Sequence, residues 1–466
     1  MSPDRSRSPS TPSTPRTSST PRTPSTSSTP RTPSTSSTPR TPRTSSTPRT
    51  PRTSSTPRTP RTSSTPRTPS TSSTPRTASA PSSSSGSTSS LRSPDAPALA
   101  LALGGYAATR VIGLAILALA AVATGKDGLH RLSGRWDSVW YVRIAENGYG
   151  YEVTLPNGSV HSDLAFFPLF PGLERALSTV LPVDAATAGL LVSWTASLAA
   201  AWGIYAVGSH VAGRPAGVVL AVLWGVYPTA FVQSMAYTET LFTALAAWSV
   251  LAVLRDRWIL AGVLCAFAGL TRPTAAALIA ALGITALFTV VRERKLPAGG
   301  TSRAARPRGS MVAGVLLAPL GWLAYVVYVG VREGGVTAYF DVQAAWGNSI
   351  DGGVALARFI WGLPPLAALG LCAALGLLAW LVVLCVRQKY PLPLLVYTIG
   401  VVVVSLIGAA YFGSRPRLMM PAFGLLLPAA LALVRLRVRN RVLVLSGLAL
   451  ASGAYGAFTL LGSGPP

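Results

Sequence analysis

The sequence predicts an all-α polytopic membrane protein, a bundle of about eleven transmembrane helices with an amphipathic first outer loop. Three observations carry that reading. The chain is 49% hydrophobic over 466 residues and its mean hydropathy is +0.42, although residues 1–93 are polar. Several apolar segments approach the ~20 residues that a helix needs to cross a bilayer. Lys and Arg gather in short loops between those segments, as the positive-inside rule requires of cytoplasmic loops. The formal charge of +25 therefore reports topology and a solvated tail, not a nucleic-acid partner, and fourteen arginines lie before Ser93. Contact of this basic tail with anionic lipid is the competing explanation of the charge.

Residues 1–93 form a separate tail. TSSTPRTP begins at Thr44, Thr53 and Thr62, with looser copies upstream. Ser, Thr, Pro and Arg without an apolar period bury no core, so this part is expected to be disordered. It lacks the order of regions that marks a secretory signal. Residues 94–466 then make up the transmembrane domain.

The first span is expected from about Ala96 to Thr124, with Arg110 in its middle. A charge there is costly unless it faces the bundle interior or a water-filled cavity. The basic tail places the N-terminus in the cytoplasm and the loop 125–184 outside. That loop carries seven carboxylates against five Lys/Arg. Trp136, Trp140, Tyr141, Ile144 and Tyr149 recur at roughly helical spacing, so Trp136–Asn147 is expected to lie along the membrane surface. In AFFPLFPG, Ala165–Gly172, two prolines oppose a regular helix interior and three phenylalanines are expected at the lipid interface.

The later apolar segments are 185–208, 215–235, 238–254, 258–270, 274–291, 311–331, 362–386, 391–411, 418–434 and 442–461. Segments 258–270 and 274–291 flank Thr271-Arg272-Pro273. Making that tripeptide an outer turn puts RERKLPAGGTSRAARPR and RLRVRNR, the most basic inter-helix stretches, on the cytoplasmic side together. The outer side then collects Asp137, Tyr237-Thr238-Glu239, Arg272, Asp341, Asp351, and Arg415 with Arg417. Arginines placed outside against the positive-inside trend point to an anion, and the guanidinium fork matches phosphate oxygens.

Asp137 stands between Arg135, Trp136 and Trp140 at the expected boundary of membrane and water. It is either a general base, within reach of a substrate hydroxyl, or the surface partner of Arg135. Glu239 either caps the helix that follows it or pairs with an arginine. Arg272 either binds a lipid phosphate or caps helix carbonyls. Arg415 and Arg417 flank Pro416 and read as an anion site. Cys265, Cys372 and Cys385 lie in apolar segments without paired spacing, and His130, His161 and His210 are scattered. Neither disulfide, metal site nor cofactor is expected. The chain has no Gly-rich phosphate loop after a strand and no Walker motif. An enzyme with its site outside and no nucleotide domain needs a donor already in the membrane.

At RWDSVWYVRIAENGY, AFFPLFP, AYTETLF, AGLTRPTAA and SRPRLMMPAF, in that order from Arg135 to Phe423, the sequence resembles the PIG-V family, relatives of GPI mannosyltransferase II, in an actinobacterial-type version. The resemblance implies a GT-C architecture and inverting transfer of mannose from a polyprenyl-phosphate-mannose donor. The acceptor it implies is a hydroxyl of a lipid-linked or cell-envelope glycan on the outer membrane face. It gives Asp137 the role of base in the outer loop. It implies donor-phosphate binding by Arg272, Arg415 and Arg417, with Arg135, Trp136, Tyr237 and Glu239 around the substrate. The tail is foreign to the family, and in a bacterial setting GPI is not the expected acceptor. Three other readings stay open: a transporter or flippase of a polyprenyl-linked sugar, a transferase for a different sugar on the same scaffold, and a scaffold protein for cell-wall assembly with a decayed site.

Overall fold

In the computed structural model, residues 96–156, 158–294, 308–409 and 411–462 are described. The tail 1–93 and residues 295–307 of the basic loop Arg292–Arg308 lie outside the described residues.

Helix α1 (Ala96–Thr124) leads into a structured loop. It holds α2 (His130–Ser133), α3 (Asp137–Asn147), an antiparallel hairpin of β1 (Glu152–Thr154) and β2 (Val160–Ser162), and α4 (Leu169–Val180). A helix forms where one was expected over Trp136–Asn147: it is α3, which begins at Asp137 and buries Ser138, Tyr141, Ile144 and Ala145. Pro168 and Pro171 stand just before and within the first turn of α4, where backbone N–H groups lack intrahelical partners and proline is tolerated. The phenylalanines do not face lipid as expected. Phe167 and Phe170 are buried and Phe166 is half-buried. Phe166 stacks on Trp140, Phe166 and Phe170 meet Tyr141 edge-on, and Phe167 lies tilted against Tyr325, because the loop builds an aromatic layer of its own.

The chain continues through α5 (Ala185–Ala212), α6 (Arg214–Gly225), α7 (Thr238–Leu254), α8 (Trp258–Gly269) and α9 (Ala275–Arg294). Next come α10 (Arg308–Leu317), α11 (Leu320–Glu333), α12 (Ala338–Ala345) and α13 (Val354–Trp361). The last are α14 (Pro365–Arg387), α15 (Leu392–Ile407), α16 (Arg415–Met419), α17 (Leu427–Val434) and α18 (Val438–Leu461). Each of the eleven apolar segments carries a helix or a helix pair. Six helical runs among the described residues are long and apolar enough to cross a membrane alone: α1, α5, α9, α10 with α11, α14 and α18. The pair Phe412–Met419 and Phe423–Val434 is bent by 78°, and α6, α7, α8 and α15 are shorter apolar helices. The chain is a multi-pass helical membrane protein with fewer self-sufficient spans than apolar segments.

Helix α5 sits at the centre, against α1, α4, α6 and α7. Its buried positions include Ala188, Gly189, Ser193, Ala196, Ser197, Ala200 and Ala201, small residues that let helix backbones approach. Gly208 of α5 meets Gly217 of α6, where a side chain on either would strike the opposing backbone. Asp184 caps α5, accepting from Thr187 N at 2.8 Å. Gly213, at φ 87°, lets the chain double back into α6.

The segment 215–235 is broken, and the break explains Arg110. Pro228 has no N–H to return to Trp224 O, and the helix ends at Gly225. Side chains recap the freed carbonyls. Gln233 Nε2 donates to Trp224 O at 2.8 Å, and Ser452 Oγ donates to Tyr227 O at 2.9 Å. The Arg110 guanidinium donates to Gly225 O and Ala230 O. Tyr106 OH completes the set by donating to Gln233 Oε1 at 3.0 Å. In apolar surroundings an unmet carbonyl is expensive, and a mid-helix arginine is the donor that reaches two at once. Arg110→Met is expected to lower stability by about 2 kcal/mol. A thermal midpoint in detergent unchanged from wild type would contradict this role.

Candidate functional site

The site begins at a strained turn. Trp136 has φ 53° and ψ −125°, the conformation of the first central residue of a type II′ turn, where glycine is usual. Such a backbone costs on the order of 1–3 kcal/mol and persists only where its surroundings hold it. Here Ser138 Oγ donates to Arg135 O at 2.5 Å and accepts from Arg135 N at 3.1 Å. Asp137 N donates to Tyr237 OH at 3.1 Å. The turn sets the Asp137 carboxylate on the first residue of α3, where the helix dipole favours a negative charge.

Arg135 is not the partner of Asp137. Its guanidinium lies 4.2 Å from the centroid of the Trp136 ring and donates to Leu460 O at 2.6 Å and Gly462 O at 2.9 Å. The partner comes from 280 residues further along: Arg417 donates to Asp137 Oδ2 at 2.7 Å. Arg417 Nε also lies 3.4 Å from Glu239 Oε1, and Arg272 lies 2.5 Å from the same oxygen. The two contacts on Glu239 are ion pairs by distance, without hydrogen-bond alignment. Tyr237 lines the cluster, its ring centroid 5.1 Å from the Arg417 guanidinium. Thus Asp137, Glu239, Arg272 and Arg417 form one alternating-charge cluster with a formal charge of zero.

Exposure divides the cluster. The Asp137 side chain is 30% exposed, against 2% for Glu239. Glu239 begins α7 without capping it, and both of its cationic partners come from interruptions between helices, the Leu270–Thr274 turn and the bent pair. Arg415 is placed differently. Its two terminal nitrogens donate to Leu406 O at 2.6 Å and Gly408 O at 2.7 Å, closing the end of α15. Asp351 lies near this end, accepting from Gly353 N at 2.8 Å and Ala355 N at 2.6 Å. Asp341 accepts from its neighbour Thr337 Oγ1 at 2.9 Å.

Two residues escaped sequence reasoning. Tyr141 follows Asp137 by one helical turn and its hydroxyl lies 3.3 Å from Thr238 Oγ1. Burial, with Asp137 and Glu239 nearby, pushes that hydroxyl above the ordinary tyrosine range, so it stays protonated. The i, i+4 spacing from Asp137 was the available signal. Glu174 of α4 had none, because next to Arg175 it reads as a solvated helix face. It is fully buried against Gly189 and Ala236, the residue before Tyr237, and neither oxygen has a hydrogen-bond partner among the described residues. Burial, reinforced by the charge of Glu146, pushes its pKa up to about 9.

Comparison with known proteins gives one family match. Residues 168–302 match the family model described as dolichyl-phosphate-mannose-protein mannosyltransferase. The matched stretch contains Glu239 and Arg272 and excludes Asp137 and Arg417. No curated protein matches the chain. Among solved structures, ArnT from Cupriavidus metallidurans bound to undecaprenyl phosphate is similar at 14% identity, TM-score 0.46, over 74% of this chain and 63% of that one. The same protein in the apo state is similar at 15% identity, TM-score 0.41, over 64% and 54%. The chain thus spans less than two thirds of either.

Glu174 makes stability depend on pH. Unfolded, the carboxyl ionises near 4.5; folded, it keeps its proton up to about 9. The unfolded state therefore holds fewer protons between those values, and stability falls as pH rises through that window. Glu174→Gln is expected to remove this slope and to stabilise the protein by at least about 1 kcal/mol at pH 8. Thermal unfolding in detergent from pH 5 to pH 9 measures it. Parallel wild-type and variant curves would refute a neutral buried carboxyl.

Proposed function

We propose that this protein is an inverting glycosyltransferase that moves a mannosyl residue from polyprenyl-phosphate mannose to a hydroxyl of a lipid-linked or envelope glycan. The reading rests on one observation: a partly exposed aspartate on a strained turn, ion-paired to a buried arginine that a second carboxylate also holds. The family match over 168–302, with its dolichyl-phosphate-mannose description, supports the donor class. The resemblance of the ordered motifs to PIG-V relatives supports the sugar. The positive-inside pattern supports a cytoplasmic N-terminus and a site on the outer face.

In this reaction the donor phosphate takes over Arg417 and Arg272. Asp137, released from Arg417, accepts the proton of the acceptor hydroxyl as its oxygen attacks the anomeric carbon. The bond from anomeric carbon to phosphate oxygen breaks on the opposite face, so configuration inverts. Polyprenyl phosphate leaves with the electron pair and one further negative charge, which the two guanidiniums stabilise. Tyr237 and Glu239 hold Arg417 and Arg272 in place, Trp136 aims Asp137, and Arg135 holds the turn. Arg415 serves the helix end beside them.

Asp137→Asn keeps the shape and removes the basicity. Transfer from radiolabelled polyprenyl-phosphate mannose by the purified variant is expected to fall by about 10²–10⁴-fold. A wild-type rate from correctly inserted variant would sink the assignment, and a flippase would leave the donor intact in the same assay. Arg417→Lys keeps the charge and loses the fork. Its KM for the donor is expected to rise at least about tenfold, with a smaller change in acceptor KM. Equal changes in both would argue against a phosphate site at Arg417.

A further inference from the structure

Beneath the turn that carries Arg135 lies a cleft that the transfer chemistry does not use. It is a shallow groove that runs between α1 and α18 past Gly113, Leu117, Leu132, Phe231, Gly453 and Leu460. Both walls are helices long and apolar enough to cross a membrane. Arg110 lies at the inner end, its terminal nitrogens already committed to backbone carbonyls.

The other end is cationic. Lys126 Nζ donates to Leu461 O at 2.7 Å, and Arg135 donates to Leu460 O and Gly462 O, so both sit at the end of α18. Arg131 precedes the cleft residue Leu132. Partial burial and the repulsion of Arg131 together lower the Arg135 pKa. The helix end supplies only about half a negative charge to balance these cations. Among the described residues, two carboxylates stand close to these cations in the chain, fewer than the cations themselves. Asp127 accepts from Leu129 N and His130 N, both at 3.0 Å, and Asp137 is held by Arg417. Arg131 has no carboxylate partner among the described residues. An apolar slot between two spans, headed by unbalanced cations, is complementary to a chain that ends in an anion.

We propose that the α1–α18 cleft binds one chain of an anionic phospholipid, whose phosphate meets Lys126, Arg131 and Arg135. The site lies apart from the Asp137–Arg417 pair, and Arg135, which also holds the Trp136 turn, is the residue the two share. A lipid seated there braces the end of α18 against the strained turn at Trp136.

The test uses the full chain, purified in mild detergent and offered equimolar phosphatidylglycerol and phosphatidylcholine, with retained lipid read by native mass spectrometry. Wild type is expected to retain phosphatidylglycerol at least about fivefold over phosphatidylcholine. Arg131→Gln, a half-buried loop position, is expected to reduce that preference about fivefold. Gly113 lines the cleft and a Cβ added there meets nothing within 4 Å, so Gly113→Leu is expected to displace the lipid by filling the cleft. Asp137→Asn is expected to retain phosphatidylglycerol like wild type, which separates this site from the catalytic assignment. Equal retention of the two lipids by wild type overturns the proposal. So does undiminished phosphatidylglycerol on Gly113→Leu, or retention of added polyprenyl phosphate in place of phosphatidylglycerol.

Discussion

A guanidinium shared by two carboxylates organises this molecule. Arg417 is almost buried, and a buried cation without counter-charge is expensive by several kcal/mol. It is tolerated because Asp137 and Glu239 arrive on two sides, from the first residue of α3 and the first turn of α7. Arg272 then neutralises the remainder of Glu239 from the turn between α8 and α9. Four chain segments converge on this charge balance, and none carries it alone. The short helices around the cluster follow from the same requirement. An uninterrupted span would bury its own backbone groups and leave no end at which a charged side chain could stand.

Each interruption frees backbone carbonyls, and the molecule answers each with a side chain. Arg110, Gln233 and Ser452 recap the broken segment before α7. Arg415 recaps α15, while Arg135 and Lys126 recap α18. The arginines of this protein therefore divide by acceptor. Those facing carbonyls are architectural, because a carbonyl is a fixed partner. Away from the Arg308–Glu293 pair at 3.6 Å, Arg272 and Arg417 face carboxylates and belong to a set whose charges an incoming anion can rearrange.

This division decides what the sequence could reveal. The apolar segments were legible by composition, and helix α3, the break at Thr271-Arg272-Pro273 and the residues of the cluster were legible because each is a local departure from that apolar background. The pairings were not. Arg135 stands two residues from Asp137 and is the partner that spacing suggests, yet a turn with positive φ at Trp136 sends the two side chains to different places. Arg415 and Arg417 look equivalent around Pro416, yet they take opposite roles. Glu174 was invisible, because a lone glutamate beside Arg175 on an amphipathic helix has the pattern of a wet face. Only the absence of a side chain at Gly189 shows where its carboxyl goes.

The cluster also constrains the order of events in the proposed reaction. At rest its two carboxylates balance its two guanidiniums, so an arriving phosphodiester must displace one carboxylate to gain a cation. Glu239 is enclosed and cannot move into water without opening the bundle. Asp137 is 30% exposed and gives up a single 2.7 Å bond to reach solvent or an acceptor. Displacement therefore falls on Asp137, and the group set free is the one needed as a base. Before the donor binds, the Arg417 guanidinium occupies an oxygen of that carboxylate. After the donor binds, the phosphate holds Arg417 and that oxygen is free to accept a proton. Donor binding thus arms the base, and a hydroxyl that arrives first meets a carboxylate already spent on an arginine.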